Sequence, residues 1–355
     1  MRTKISRFRP CLVIGVIIAS LSTGQYLHAQ SAPQSRQRID QPTAQSTIDL
    51  LVQVIRQNYI DADIARHVET YLRKRLAEGT YQQTTPEDLA QALTQDLFTS
   101  SNDKHLYVTV SDGETITSSA AAQGSREETA RSSNFGIQRV EILPGNIGYL
   151  NLTSFYRPEE ARETFVSAMQ VLAHADALIL DLRGNKGGSP DMAVLVASFM
   201  FDKAGLPLFS VVPGSGGAPM TFATVQTPPP GGNGERPLYV LTSQNTWSAG
   251  EGLAFLLQER HRAEIIGETT AGAANPGRPY RINALFEVNV PNGRVKSAVL
   301  GRNWEGVGVL PDIPTSAANA LDVAHAHALR RLLDSAPKGW MHDELERELQ
   351  AIRGK

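Results

Sequence analysis

The chain has 355 residues, 41% hydrophobic and 20% charged, which is the balance of a folded globular protein and excludes a fibrous or wholly disordered one. Its 34 lysines and arginines against 36 acidic residues give a formal net charge of −2, so no basic excess exists to seek phosphate and nucleic acid is not an expected partner. The single cysteine, Cys11, excludes an internal disulfide and a cysteine metal cluster.

Residues 1–29 differ in character from the rest. Arg2, Lys4, Arg7 and Arg9 precede the apolar run Cys11 to Ala19, small and polar residues follow, and then "LHAQ". That order predicts a secretory signal peptide cleaved after Ala29, with an apolar run too short to span a bilayer. The expected mature chain is exported, periplasmic or extracellular, with no membrane span and no thiol. Cleavage removes four of the 34 basic residues and no acidic one, taking the net charge from −2 to −6.

Residues 30–45, "QSAPQSRQRIDQPTAQ", are polar, carry two prolines and predict a flexible linker. Helical spacing follows in Ile48, Leu51, Val52 and Ile55 and again in Val68, Leu72 and Leu76. A third helix begins at "TTPEDLAQALTQDLF", with Thr85 as N-cap and Pro86 in the first turn. Residues 46–100 are thus expected to form an N-terminal helical domain. "HLYVTV" alternates as a strand, and the polar stretch Ser111 to Asn134 is expected to be a mobile loop.

From Phe135 the pattern is that of an α/β protein. "FGIQRVEIL", "PGN" and "IGYLNL" predict a hairpin, Pro158 to Ala173 a helix, and "ALILDL" a strand covered on both faces. A helix at Met192 to Phe201, the strand "YVLTS", a helix from about Ala249 and "AEIIGE" continue an alternation that implies a largely parallel sheet. "FEVNV" and "PNGRVKSAV" predict a second hairpin, turning at Asn292-Gly293. The tail, 317–355, predicts an Ala-rich helix and a charged one at Asp343 to Ile352.

Two turns carry candidate chemistry. Ser248 stands between the strand "YVLTS" and the next helix, where it can be an N-cap or a nucleophile beside amides that favour a developing oxyanion. In "LDLRGNKGGSP", Gly184, Gly187 and Gly188 either permit a tight turn or let bare backbone approach a substrate carbonyl. The Gly-x-x-x-x-Gly-Lys-Ser/Thr order of a nucleotide loop is absent. Lys186 is expected at a solvated tip as a possible substrate contact. His325 and His327, two apart on a helix, face different ways and make a poor metal pair. Trp247 and Trp304 are expected either in the core or lining one apolar pocket.

Taken in order, "DLRGNKGG", "YVLTSQNTWSAGEGLAF", "IIGETTAGAANPG" and "WEGVGVLPDIPT" resemble the peptidase domain shared by carboxy-terminal (tail-specific) processing proteases, tricorn core proteases and the repeats of interphotoreceptor retinoid-binding protein. The likeness covers residues 101–316, and the helical N-terminal unit resembles the retinoid-binding-protein type. It implies a crotonase-like (ClpP/crotonase) α/β spiral of βαβ units with helical additions. The processing proteases place a base lysine after "GET"; here that stretch reads "GAANPG", with Ala273 in or near the place. The tricorn-like branch uses serine, histidine and glutamate, and the resemblance implies Ser248 as nucleophile, His105 in "NDKHLYV" as base and Glu305 in "NWEGVGVLPD" as orienter. Gly187 or Gly188, with Ala249, would form the oxyanion hole. From the residues alone, His105 can equally be a turn residue and Glu305 a solvated carboxylate. No peptide-binding PDZ module fits between His105 and Phe135. The expected activity is cofactor-free, metal-free serine-type cleavage of a peptide or protein substrate through an acyl-enzyme, with no assembling face identifiable. The alternative is a non-catalytic binder of apolar ligands or peptides on the same fold.

Overall fold

The computed structural model describes residues 38–353 apart from 83, 112–119, 202 and 227–234. The expected signal peptide and residues 30–37 of the expected linker lie outside the described residues. Helix α1 (Gln41–Asn58) begins within the remainder of that linker: the Asp40 carboxylate accepts the Thr43 amide at 2.9 Å, and a proline sits in the first turn. A cap and a proline start a helix before any apolar period is visible, which is why the boundary falls early.

Asp61 caps α2 (Ala62–Ala77) and Thr85 caps α3 (Pro86–Ser101), which ends in the left-handed Asn102. Three short helices bury only a small core by themselves. Their apolar faces, Ile48, Leu51, Leu72, Leu89 and Leu93 among them, pack with Val108 and with Phe286, Val288 and Val290 from far downstream. The helical unit is therefore not self-contained at 46–100. After β1 (Tyr107–Val110), the stretch expected as a loop holds α4 (Ala120–Ser132). Its Ala/Glu/Arg content favours helix although its polarity shows no apolar period.

β2 (Ile137–Leu143) and β3 (Ile147–Leu152) form the expected antiparallel hairpin. Then come α5 (Pro158–Val171), β4 (Ala177–Asp181), α6 (Pro190–Phe201), β5 (Pro207–Pro213), β6 (Met220–Ala223), β7 (Leu238–Thr242), α7 (Ala249–Glu259) and β8 (Glu264–Gly267). β9 (Gly277–Arg281), β10 (Phe286–Pro291), β11 (Gly293–Ser297), β12 (Ile313–Pro314), α8 (Ala320–Leu333) and α9 (Trp340–Arg353) complete the chain.

The central sheet has the order β12-β8-β7-β4-β3-β2, with β3, β4, β7, β8 and β12 paired in parallel. Leu178, Leu180, Val240 and Ile265 pack against α5, α6 and α7 on one face. Ile179, Leu241 and Ile266 pack against α8 and α9 on the other. Covering both faces is what the continuous apolar strands required, each such side chain contributing roughly 1.5–3 kcal/mol. The fold is the expected mixed α/β arrangement of βαβ units with helices added at each end.

One expected hairpin does not form. β10 pairs with β1 and β9, whereas β11 pairs with β5 in a different sheet. At Asn292 the chain crosses between sheets: its carbonyl accepts the Gly214 amide and its N–H binds the Pro276 carbonyl. An Asn-Gly pair permits a hairpin, but the partners offered by β1 and β5 decided the pairing.

Candidate active site

β4 and β7 are parallel neighbours, so the segments leaving their carboxyl ends, 182–189 and 243–248, emerge side by side. Side chains join them to backbone: Thr246 Oγ1 donates to the Leu182 carbonyl at 2.8 Å and Ser243 Oγ to that of Arg183 at 2.7 Å. The Trp247 amide donates to the Asn185 carbonyl at 2.9 Å. Asn185, fully buried, donates through Nδ2 to the Leu152 carbonyl and accepts the Gly187 amide at 2.8 Å through Oδ1. Lys186 is exposed at the tip, with Nζ 3.4 Å from the Asn245 carbonyl.

Gly187 and Gly188, expected as alternative oxyanion donors, differ in what they can offer. The Gly187 N–H is committed to Asn185, which removes Gly187 as a donor. What Gly187 provides is space: a Cβ there would lie 2.8 Å from Ser248 Cβ and 3.0 Å from the Ala249 nitrogen. Gly188 forms a parallel bridge with Phe155 in which the flanking Gly187 carbonyl and Ser189 amide make the hydrogen bonds, turning the Gly188 N–H the other way. A Cβ on Gly188, at φ +126°, would meet the Phe155 carbonyl oxygen at 2.2 Å. The Ala249 amide opens α7 with no preceding helical turn to bond.

Ser248 has φ 53° and ψ −119°, a region that a residue with a Cβ adopts only when its surroundings enforce it. An ordinary N-cap is extended and accepts a helix amide with its own hydroxyl. Here the Ser248 amide donates to Glu251 Oε2 at 2.8 Å, and the hydroxyl turns outward to lie 3.2 Å from His105 Nε2. Glu251 is fully buried and also accepts from Thr270 Oγ1 and the amides of Gly272 and Ala273. Burial raises its pKa while those donors lower it. One carboxylate thus ties the serine turn to the segment containing Ala273, which is itself fully buried.

His105 is brought to the serine from 143 positions away by α3 and β1. Its backbone is held at both ends: its N–H donates to Asp103 Oδ1 at 2.9 Å and its carbonyl accepts Asn289 Nδ2 at 2.7 Å. The residue is 9% exposed, and its ring packs edge-on to Trp247 with centroids 5.5 Å apart. Burial lowers its pKa to about 4, so the imidazole is neutral at physiological pH.

Glu305 completes the group. Its Oε2 accepts the amides of Ala274 at 2.7 Å and Asn275 at 2.8 Å, while Oε1 is buried without a hydrogen-bond partner, as is His105 Nδ1. A His105 ring nitrogen, a Glu305 carboxylate oxygen and one from Asp103 lie within 4.8 Å of one another. Burial chiefly, then the nearby Asp103 carboxylate, raises the Glu305 pKa to about 7 against the lowering effect of the two amides. Asp103 is itself buried and raised by desolvation, with Tyr59 Oη donating to its Oδ2 at 2.9 Å.

The structure therefore brings Ser248, His105, Glu305, Gly188 and Ala249 to one place. Sequence reasoning missed Asp103, Tyr59 and Glu251. The last had a faint signal, since "SAGE" places a glutamate at the third helical position of a capping box. The tryptophans do not share a pocket: Trp247 lies on His105, whereas Trp304 packs on Phe255 and donates to the Ala273 carbonyl. His325 and His327 go separate ways, to the Pro144 carbonyl and toward Glu264.

Comparison with known proteins gives this geometry a context. Residues 146–315 match the model of peptidase family S41, and residues 39–139 match the N-terminal domain of that family's peptidases in eukaryotic IRBP. The chloroplastic carboxyl-terminal-processing peptidase 2 of Arabidopsis thaliana is 30% identical over 192 residues, 50% of this chain and 34% of that protein. The chain thus spans about a third of the length of the curated relatives it matches. Among solved structures, a protein described as a peptidase from Parabacteroides merdae superposes with a TM-score of 0.57 at 18% identity, over 83% of this chain and 99% of that one. The tricorn protease superposes at 0.50 and 11% identity, over 88% and 37%. With consecutive matches to the N-terminal and peptidase parts of one architecture, the chain belongs to peptidase family S41.

Proposed function

We propose that this chain is an exported serine peptidase that cleaves peptide bonds through an acyl-enzyme, with Ser248 as nucleophile, His105 as general base and Glu305 as orienting acid. The observation that carries the reading is the 3.2 Å separation of Ser248 Oγ and His105 Nε2, on a serine whose backbone is not that of a helix cap. Neutral His105 takes the hydroxyl proton through Nε2 as Oγ attacks the substrate carbonyl carbon. The imidazolium then gives that proton to the leaving amine; a water, deprotonated by the same nitrogen, attacks the acyl carbon, and the imidazolium returns the proton to Ser248 Oγ as the acyl–oxygen bond breaks. Glu305 Oε1 and His105 Nδ1, both buried and unpartnered, are the pair whose closure holds the imidazolium. The amides of Gly188 and Ala249 serve the oxyanion, each worth roughly 2.7–4 kcal/mol in comparable sites.

Non-catalytic binding of an apolar ligand finds less support. The cavity beside Glu305, about 220 Å³, has Ile60 and Ile64 in its lining but is mostly polar, with Asp61, Asp103, Asn275 and Glu305 among its residues, and is smaller than the usual ligand pocket. A fluorophosphonate probe tests the enzyme: Ser248 in the full chain should be labelled and Ser248→Ala should not. A properly folded chain that the probe leaves unmodified would end the nucleophile reading.

A further inference from the structure

We infer that Asp103 and Tyr59 are positioning residues for His105, through which the N-terminal helices complete the catalytic site; the inference rests on the Ser248, His105 and Glu305 reading. Neither side chain touches the serine. Tyr59 caps the end of α1, and its hydroxyl donates to Asp103 Oδ2 at 2.9 Å across 44 residues of sequence. The other oxygen of Asp103 accepts the His105 amide at 2.9 Å. The phenol thus fixes the carboxylate, and the carboxylate fixes the backbone from which the base projects. Asn289 holds the His105 carbonyl and Trp247 packs against the ring, while Nδ1 and Glu305 Oε1 stay buried and unpartnered.

A carboxylate at this point also has an electrostatic use that a neutral acceptor lacks. Asp103, Glu305 and His105 bring ligand-type atoms within 4.8 Å of one another, so the imidazolium formed during the reaction faces two negative groups. In the resting site those two carboxylates repel, and Asp103 is the second cause of the raised Glu305 pKa. The other charged or titratable groups around Glu305 are Glu251, Tyr59, and the Asp61 and Arg294 pair, 3.7 Å apart, that lines the same cavity. None of them meets both His105 and Glu305 as Asp103 does.

The test is the rate at which a fluorophosphonate labels Ser248 in the full chain, measured against probe concentration from about pH 5 to about pH 9, a range that brackets the Glu305 titration. Tyr59→Phe removes one hydroxyl and should slow the maximal labelling rate roughly tenfold while leaving the half-saturating probe concentration unchanged, as expected when a reacting group loses its alignment. Asp103→Asn retains an oxygen for the His105 amide but removes the charge, and should also move the midpoint of the pH profile downward. A merely structural role would lower the melting temperature or the folded fraction and leave both the rate per folded chain and the midpoint as they were; that result in the two variants overturns the inference. Should Asp103→Asn fail to fold, the rate of Tyr59→Phe decides alone. Absence of labelling in the unaltered chain instead overturns the catalytic reading itself, and the inference with it.

Discussion

Glu305 and His105 have their pKa values pushed past each other, Glu305 up to about 7 and His105 down to about 4, burial being the first cause in both. A raised carboxyl is ionised only above its pKa, and the protonated acid cannot hold an imidazolium. His105, by contrast, remains neutral and competent as a base down to about pH 4. In the proposed mechanism the acid limb of kcat/KM belongs to Glu305, so activity should rise through about pH 7 and level off above it. Glu305→Gln should lower the plateau by roughly 10²–10⁴-fold and abolish the step near neutrality. Full activity with an unchanged profile in that variant would remove Glu305 from the mechanism. Ser248, His105 and Glu305 were candidates in the sequence because the family resemblance gave each a place, although from the residues alone His105 could equally be a turn residue and Glu305 a solvated carboxylate. Asp103 and Tyr59 were not, because their significance lies in a hydrogen bond between residues 44 positions apart.

Among the elements, β10 connects what the sequence divides. Its side chains Phe286, Val288 and Val290 are fully buried in the core of the N-terminal helices, while its backbone pairs with β1 and β9. Truncating Phe286 to alanine should cost roughly 3–5 kcal/mol, the usual penalty for an emptied aromatic site. Because helices and strands share that core, calorimetry should record one unfolding transition at a lower temperature. Separate melting of the helical part would contradict a shared core. The apolar alternation of "FEVNV" was readable as a strand, but its partners were not. Pairing is decided by which edges the rest of the chain presents, and the Asn292-Gly293 signal pointed to a hairpin that the competing partners β1 and β5 precluded.

Considered as a whole molecule, the described residues include no helix long and apolar enough to cross a membrane. The proposal of export rests on the charge and apolar order of residues 1–29, and it predicts a mature N-terminus at Gln30 in protein recovered outside the cytoplasm; mass spectrometry that finds Met1 or a far internal start would refute it. The sequence by itself determined the α/β alternation, the doubly covered strands, the Thr85 helix cap and the order of the motifs, because each depends on neighbours within a few residues or one strand length. Only the tertiary structure decided that residues 103–105, 248 and 305 meet, that the Gly187 amide is committed to Asn185, and that the N-terminal helices reach the histidine. Those outcomes depend on the direction of single hydrogen bonds and on contacts between distant segments, which local pattern leaves open until the sheet and its loops have packed.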